Sequence, residues 1–199
     1  MPTSPADARE RAPDRPPLTL RAATAADVPV VLELIRGLAE YERLLHECVA
    51  TEAQLHETLF GATPQAEVVI AEWEGTPAGF ALFFHNYSTF LAHRGLYLED
   101  LFVKPAFRGH GIGRALLVHL ARIAVARGCG RFEWSVLDWN APAIGFYRAL
   151  GAVPMDDWTI MRVTGEALVG LAGTDTAGSG GAGSGTAGTG GAGTGGAGR

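Results

Sequence analysis

The chain has 199 residues, 47% of them apolar, and a net charge of −5, which is room for one core-forming domain. Its Lys and Arg residues form no cluster, which excludes the basic footprint that nucleic-acid binding requires. Cys48 and Cys129 have neither metal-ligand spacing nor the density of a disulfide scaffold, so a reducing cytoplasm is expected, and no apolar run reaches membrane-spanning length.

Residues 1–17, rich in Pro, Ala and alternating charge, lack the apolar stretch of a signal peptide and are expected to be a disordered tail. Leu18-Thr19-Leu20-Arg21 reads as a first strand. Thr24-Ala25-Ala26-Asp27 then resembles a capping box, and Val28, Val31, Leu32, Ile35 and Leu38 recur at helical spacing behind it. A second helix opens at Thr51, with Gln54 three positions on, and fades near Gly61. The segments 68–73 and 79–84 read as strands joined across Glu74-Gly75-Thr76, a hairpin signal. Leu96 to Val103 is a further strand. Ile112, Leu116, Leu120 and Ile123 mark a helix ending at Gly128, a strand follows from Phe132 to Leu137, and Asn140 to Leu150 is a short helix stopped by Gly151. Trp158 to Val163 is expected to close the sheet. Residues 171–199 are almost purely Gly, Ala, Thr and Ser, with no side chains to offset ordering entropy, and are expected to be a flexible tail. Together these elements predict an α/β (α+β) domain over residues 18–170.

The segment Arg108-Gly109-His110-Gly111-Ile112-Gly113 lies between a strand and a helix. Closely spaced glycines let backbone N–H groups converge, and a helix N-terminus adds partial positive charge, so the placement suits an anionic diphosphate. It is not a Rossmann fingerprint, which needs another glycine spacing and an acidic residue ending the next strand. Nor is it an NTPase loop, because Gly113 is followed by Arg114-Ala115 where that loop requires Lys and then Ser or Thr.

Arg108, Gly111 and Gly113, after a strand, resemble the acetyl-CoA signature of the GCN5-related N-acetyltransferases (GNATs). The stretch Tyr97-Leu98-Glu99-Asp100-Leu101-Phe102-Val103, then Leu137-Asp138-Trp139-Asn140 and Phe146-Tyr147-Arg148-Ala149-Leu150-Gly151, is similar to the diamine and thialysine acetyltransferase subfamily. Where diamine acetyltransferases carry a Tyr-Asp-Pro-Trp run, this chain reads Tyr87-Ser88-Thr89-Phe90, which is closer to the thialysine branch. The resemblance implies the GNAT fold, a central mixed, mostly antiparallel twisted sheet flanked by helices. It also implies acetyl transfer from acetyl-CoA to a small-molecule primary amine, without a metal, in a homodimer. Transfer to a protein Lys or N-terminus, and a catalytically silent acyl-CoA-binding module, are the alternatives.

An alkyl ammonium, with a reference pKa of ~10.4, must lose a proton before it can attack. Glu99, among Leu98, Leu101 and Val103, is the candidate base, directly or through a water. An edge ion pair involving Glu99 or Asp100 is the bland reading, since strand alternation sends the two to opposite faces unless a bulge intervenes. By resemblance, Tyr147 is the proton donor to the departing thiolate. On spacing alone it belongs to an apolar stripe with Ala143, Phe146 and Leu150. For the cofactor, the resemblance points to the backbone of Leu101, Phe102 and Val103 for the pantetheine arm. It points to Arg108, Gly109, His110, Gly111, Ile112, Gly113 and Arg114 for the pyrophosphate, with Asn140 and Tyr147 as further contacts. The amine candidates are Tyr41, Glu42, Glu99, Asp100, Glu133, Trp134, Ser135, Asp156 and Trp158, because carboxylates and aromatic faces both attract ammonium groups. His85, His93 and His110 are too scattered for a metal site.

Overall fold

The computed structural model describes residues 17–173, so most of both expected tails lies outside the described residues. The backbone forms two compact units, divided after Gly145.

The first unit carries a five-stranded sheet in the order β1-β2-β3-β4-β5. β1 (Leu18–Ala22), β2 (Glu67–Trp73), β3 (Thr76–Ser88) and β4 (His93–Val103) pair antiparallel, and β5 (Phe132–Trp134) lies parallel to β4. The hairpin between β2 and β3 turns on Glu74 (φ 51°) and Gly75 (φ 81°). Two consecutive left-handed residues give the twist that a tight hairpin needs.

Both capping boxes form. The Thr24 N–H donates to the Asp27 carboxylate at 2.8 Å and opens a short 3-10 turn that runs into α1 (Val28–Tyr41). The Thr51 N–H donates to Gln54 at 3.0 Å and opens α2 (Glu52–Phe60). Arg21 joins strand to turn, with Nη2 2.8 Å from Asp27 and Nε 2.8 Å from Glu72. The guanidinium holds the Asp27 carboxyl well below the usual carboxylate range.

The apolar stripe of α1 packs with Leu55 and Leu59 of α2 against Val68, Ile70, Phe80 and Phe102 of the sheet. α3 (Ile112–Ala126) also packs on the sheet and buries Ile112, Leu116, Leu120 and Ala124. That spacing of four keeps the stripe on one face. The helix stops before Gly128, which adopts φ 65°, the left-handed turn typical of helix ends. No helix among the described residues is long and apolar enough to cross a membrane.

α4 (Ala141–Ala149) runs across the division between the units, and the second unit then contains α5 (Gly165–Gly173). The expected closing strand is absent among the described residues. Trp158 to Val163 pairs with no described strand, and Trp158, Ile160 and Met161 are exposed. β-propensity reflects packing on a pleated surface and is realised only with a ladder partner, which this stretch does not have. β5 is also shorter than expected, with Ser135 to Leu137 outside the ladder. α5 was not foreseen, and its end at Gly173 places residues 171–173 in a helix where the tail was expected to begin.

Candidate active site

The site is organised by an irregularity in β4. Leu98 pairs with Phe83 and Asp100 with Leu82, so two successive residues of β3 span three of β4 and Glu99 is the extra one. Such a bulge bends its strand and re-aims the side chains beside it. It breaks the alternation that would otherwise separate Glu99 from Asp100. The opposite edge of β4 is laddered to β5 only from Leu96 to Leu98. From Glu99 to Val103 that edge has no strand partner among the described residues, and apart from the Val103 carbonyl, which accepts from Arg108, it is open to pairing with an extended ligand.

Three carboxyls interact here. Asp100 is half-buried, and its pKa is pushed up to about 6, first by desolvation and then by the charges of Glu99 and Glu42. Glu42, the residue after α1, has its own carboxyl raised by burial. Glu99 is exposed. Mutually repelling carboxylates with one near neutrality form a receptor for a cation and a place for its proton.

The glycine loop follows β4. A short 3-10 turn over Pro105–Phe107 leads to Arg108, then Gly109 at φ 85° and Gly111 at φ 75° before α3 begins. No heavy atom lies within 4 Å of a Cβ built on either glycine. Glycine is therefore required for backbone conformation, and the loop's outer side is open. The first intrahelical bond runs from the Ala115 N–H to the Gly111 carbonyl at 3.0 Å. The N–H groups of Ile112, Gly113 and Arg114 precede that ladder and fit an anion. Arg108 is fixed by a 3.1 Å bond from Nε to the Val103 carbonyl and stacks 4.8 Å from the Tyr41 ring centroid. His110 braces the loop, with Nδ1 3.1 Å from the Arg108 carbonyl and its ring 4.5 Å from Trp73.

Asn140 is buried, and its Oδ1 accepts from Tyr41 Oη and from the Ala143 N–H, each at 3.3 Å. The second bond caps α4, and the first ties that cap to the end of α1. Trp139 lies 6.1 Å from the Tyr41 ring, and the Arg43 guanidinium sits 6.0 Å from the Trp139 ring. Neither Arg43 nor Trp139 was among the sequence-derived candidates. Their adjacency to Glu42 and Asn140 was the available signal.

The remaining candidates have the following surroundings. Glu133 is committed to Arg131 at 2.8 Å and to Asn86 at 2.9 Å. Ser135 Oγ is 2.8 Å from Tyr97 Oη, and Trp134 packs 5.0 Å from Phe132. Tyr147, Asp156 and Trp158 belong to the second unit. There Tyr147 is half-buried with its ring 5.4 Å from Phe146, while Asp156 and Trp158 are exposed. Among the described residues no group of three His, Cys, Asp or Glu could hold a metal ion.

Residues 35–152 match the model of the acetyltransferase (GNAT) family. An L-ornithine N5-acetyltransferase of Arabidopsis thaliana is 36% identical, over 75% of this chain and 85% of its own. A thialysine N-epsilon-acetyltransferase of Bos taurus is 38% identical, over 77% of this chain and 96% of its own. An integron cassette protein from the V. cholerae mobile metagenome superposes with a TM-score of 0.66 at 26% identity, covering 79% of this chain and 99% of its own. An aminoglycoside acetyltransferase from a soil metagenome, with a TM-score of 0.65 at 17% identity over 76% of this chain and 98% of its own, shares the fold.

Proposed function

Because the chain belongs to the GNAT acetyltransferase family, we propose that it transfers an acetyl group from acetyl-CoA to a primary amine of a small molecule. The amine belongs to a diamine or to an amino acid with an aminated side chain. The observation that carries this reading is the carboxyl cluster of Asp100, Glu99 and Glu42 at the point where the edge of β4 opens beside the glycine loop. The names of the ornithine and thialysine relatives support the same substrate class.

Acetyl-CoA, when bound, supplies an acyl group activated as a thioester. The N–H groups from Gly109 to Arg114 face its diphosphate, with Arg108 adding charge, and the open edge of Leu101, Phe102 and Val103 pairs with its pantetheine arm. The chain's task is then to accept an ammonium and make it nucleophilic. Glu42 and Glu99 hold the cation by charge. The proton passes to the Glu99 and Asp100 pair, directly or through a water. A carboxyl moved from 3.8 to about 6 shortens the uphill step from an amine by ~3 kcal/mol relative to an ordinary aspartate. Asp100 is therefore the better proton store, and Glu99 the more accessible acceptor. Tyr147 is assigned by resemblance as the acid that protonates the departing thiolate. We place the reaction in the cytoplasm, where the free thiols of Cys48 and Cys129 persist, and in a homodimer, as the resemblance implies.

The test is a scan of initial rates with acetyl-CoA against ornithine, thialysine, short diamines and Lys-containing peptides. Turnover concentrated on the free amines is expected. Turnover confined to peptides, or none with any acceptor, would overturn the proposal.

A further inference from the structure

We propose that Arg43 recognises the α-carboxylate of the substrate, so that the preferred acceptor is an amino acid with a side-chain amine and not a plain diamine. This rests on the amine-acetylation reading above and specifies its substrate. Glu99 and Asp100 sit together at the β4 bulge, the charge of Glu42 at the end of α1 bears on Asp100, and such a set of carboxyls repels any acceptor that carries a carboxylate of its own. A cation beside the cluster reverses that preference.

Arg43 follows Glu42 directly, at the end of α1. Its backbone adopts φ 64° and ends the helix, with the Leu44 N–H donating to the Ala39 carbonyl at 2.8 Å and the Arg43 N–H to the Glu40 carbonyl at 3.1 Å, the usual left-handed helix stop, which fixes the backbone from which the Arg43 side chain leaves. Its guanidinium sits 6.0 Å from the Trp139 ring, which lies 6.1 Å from Tyr41. The aromatic face carries the arginine while leaving the N–H fork available for a bidentate carboxylate. Four other cations of this unit are occupied, Arg21 by Asp27 and Glu72, Lys104 by Glu33, Arg127 by Glu67 and Arg131 by Glu133, and none of these four lies beside Glu42 in the chain. No acidic residue among the described ones pairs with Arg43.

The experiment compares ornithine with putrescine, which has the same two amines and no carboxylate, using the full chain and its R43Q and R43K variants. In R43Q the KM for ornithine is expected to rise about tenfold with kcat within about twofold, since one charge-assisted contact is lost. The KM for putrescine stays level or falls, and the KM for acetyl-CoA stays level as a check on folding. R43K, which keeps the charge and loses the fork, is expected to lie between. Equal changes in KM for both acceptors, or a wild-type preference for putrescine, would overturn the role of Arg43 while leaving amine acetylation standing. Wild-type failure to acetylate either acceptor would overturn the underlying reading and this inference with it.

Discussion

The substitution Glu42→Gln isolates the electrostatics of the site. Asp100 stands at about 6 against an ordinary 3.8, with desolvation the largest cause, Glu99 the next and Glu42 the smallest. The active form of Asp100 is the carboxylate, so kcat/KM for the amine falls as pH drops through about 6. Removing a neighbouring negative charge eases ionisation and moves that acid limb to lower pH. Glu42 is the smallest of the three causes, so the limb moves by a minor part of the displacement from 3.8 to about 6 and stays above the ordinary aspartate value. The KM for the amine should rise roughly three- to tenfold, because the cation loses one partly screened partner. The assay is kcat/KM for the amine against pH at saturating acetyl-CoA, with Glu42→Asp as the charge-retaining control. An acid limb that does not move in Glu42→Gln, or that moves to higher pH, would refute the reasoning.

Asp100→Asn should lower kcat by roughly 10²- to 10³-fold, and calorimetric titration should show acetyl-CoA binding retained. Tyr147→Phe should also lower turnover strongly with little loss of acetyl-CoA affinity, and unchanged turnover would remove Tyr147 from the chemistry. Gly111→Val forces a branched side chain into φ 75°; at a strain of about 1–2 kcal/mol it should raise the KM for acetyl-CoA tenfold or more and leave the circular dichroism spectrum unchanged. Arg21→Met strands the carboxylates of Asp27 and Glu72. It should cost about 1–2 kcal/mol, read as a fall of roughly 2–8 °C in Tm. Asp27 carries a lowered pKa in the folded chain, so the Arg21 contribution is fully present above an ordinary aspartate pKa and disappears as pH falls through the folded value.

The parts of the fold that depend on near neighbours were legible in the sequence. Thr24 with Asp27, Thr51 with Gln54, and the stripes of α1 and α3 are contacts three or four residues apart, and residue types alone dictate them. The placement of Arg108 to Gly113 between strand and helix likewise followed from flanking periodicity. The bulge at Glu99 did not, because it is set by the register of β4 against β3, a long-range pairing with no local signal. The sequence reading put the candidate base at Glu99, and the structure adds a neighbour beside it, the Asp100 carboxyl, pushed up to about 6 by desolvation and by the charges of Glu99 and Glu42. Trp158 to Val163 has strand-like composition and no ladder, the same limitation in reverse. Arg43 on Trp139 joins two segments far apart in the chain, and only the folded structure brings them together.

The most direct test of the central claim is product analysis after incubating the full chain with acetyl-CoA and ornithine, following free thiol release and acetylated amine in one reaction. The account predicts equimolar CoA and N-acetylated product, with formation slowed roughly 10²- to 10³-fold in Asp100→Asn. Acetyl-CoA binding without amine acetylation, or CoA release with no acetylated amine, would contradict it.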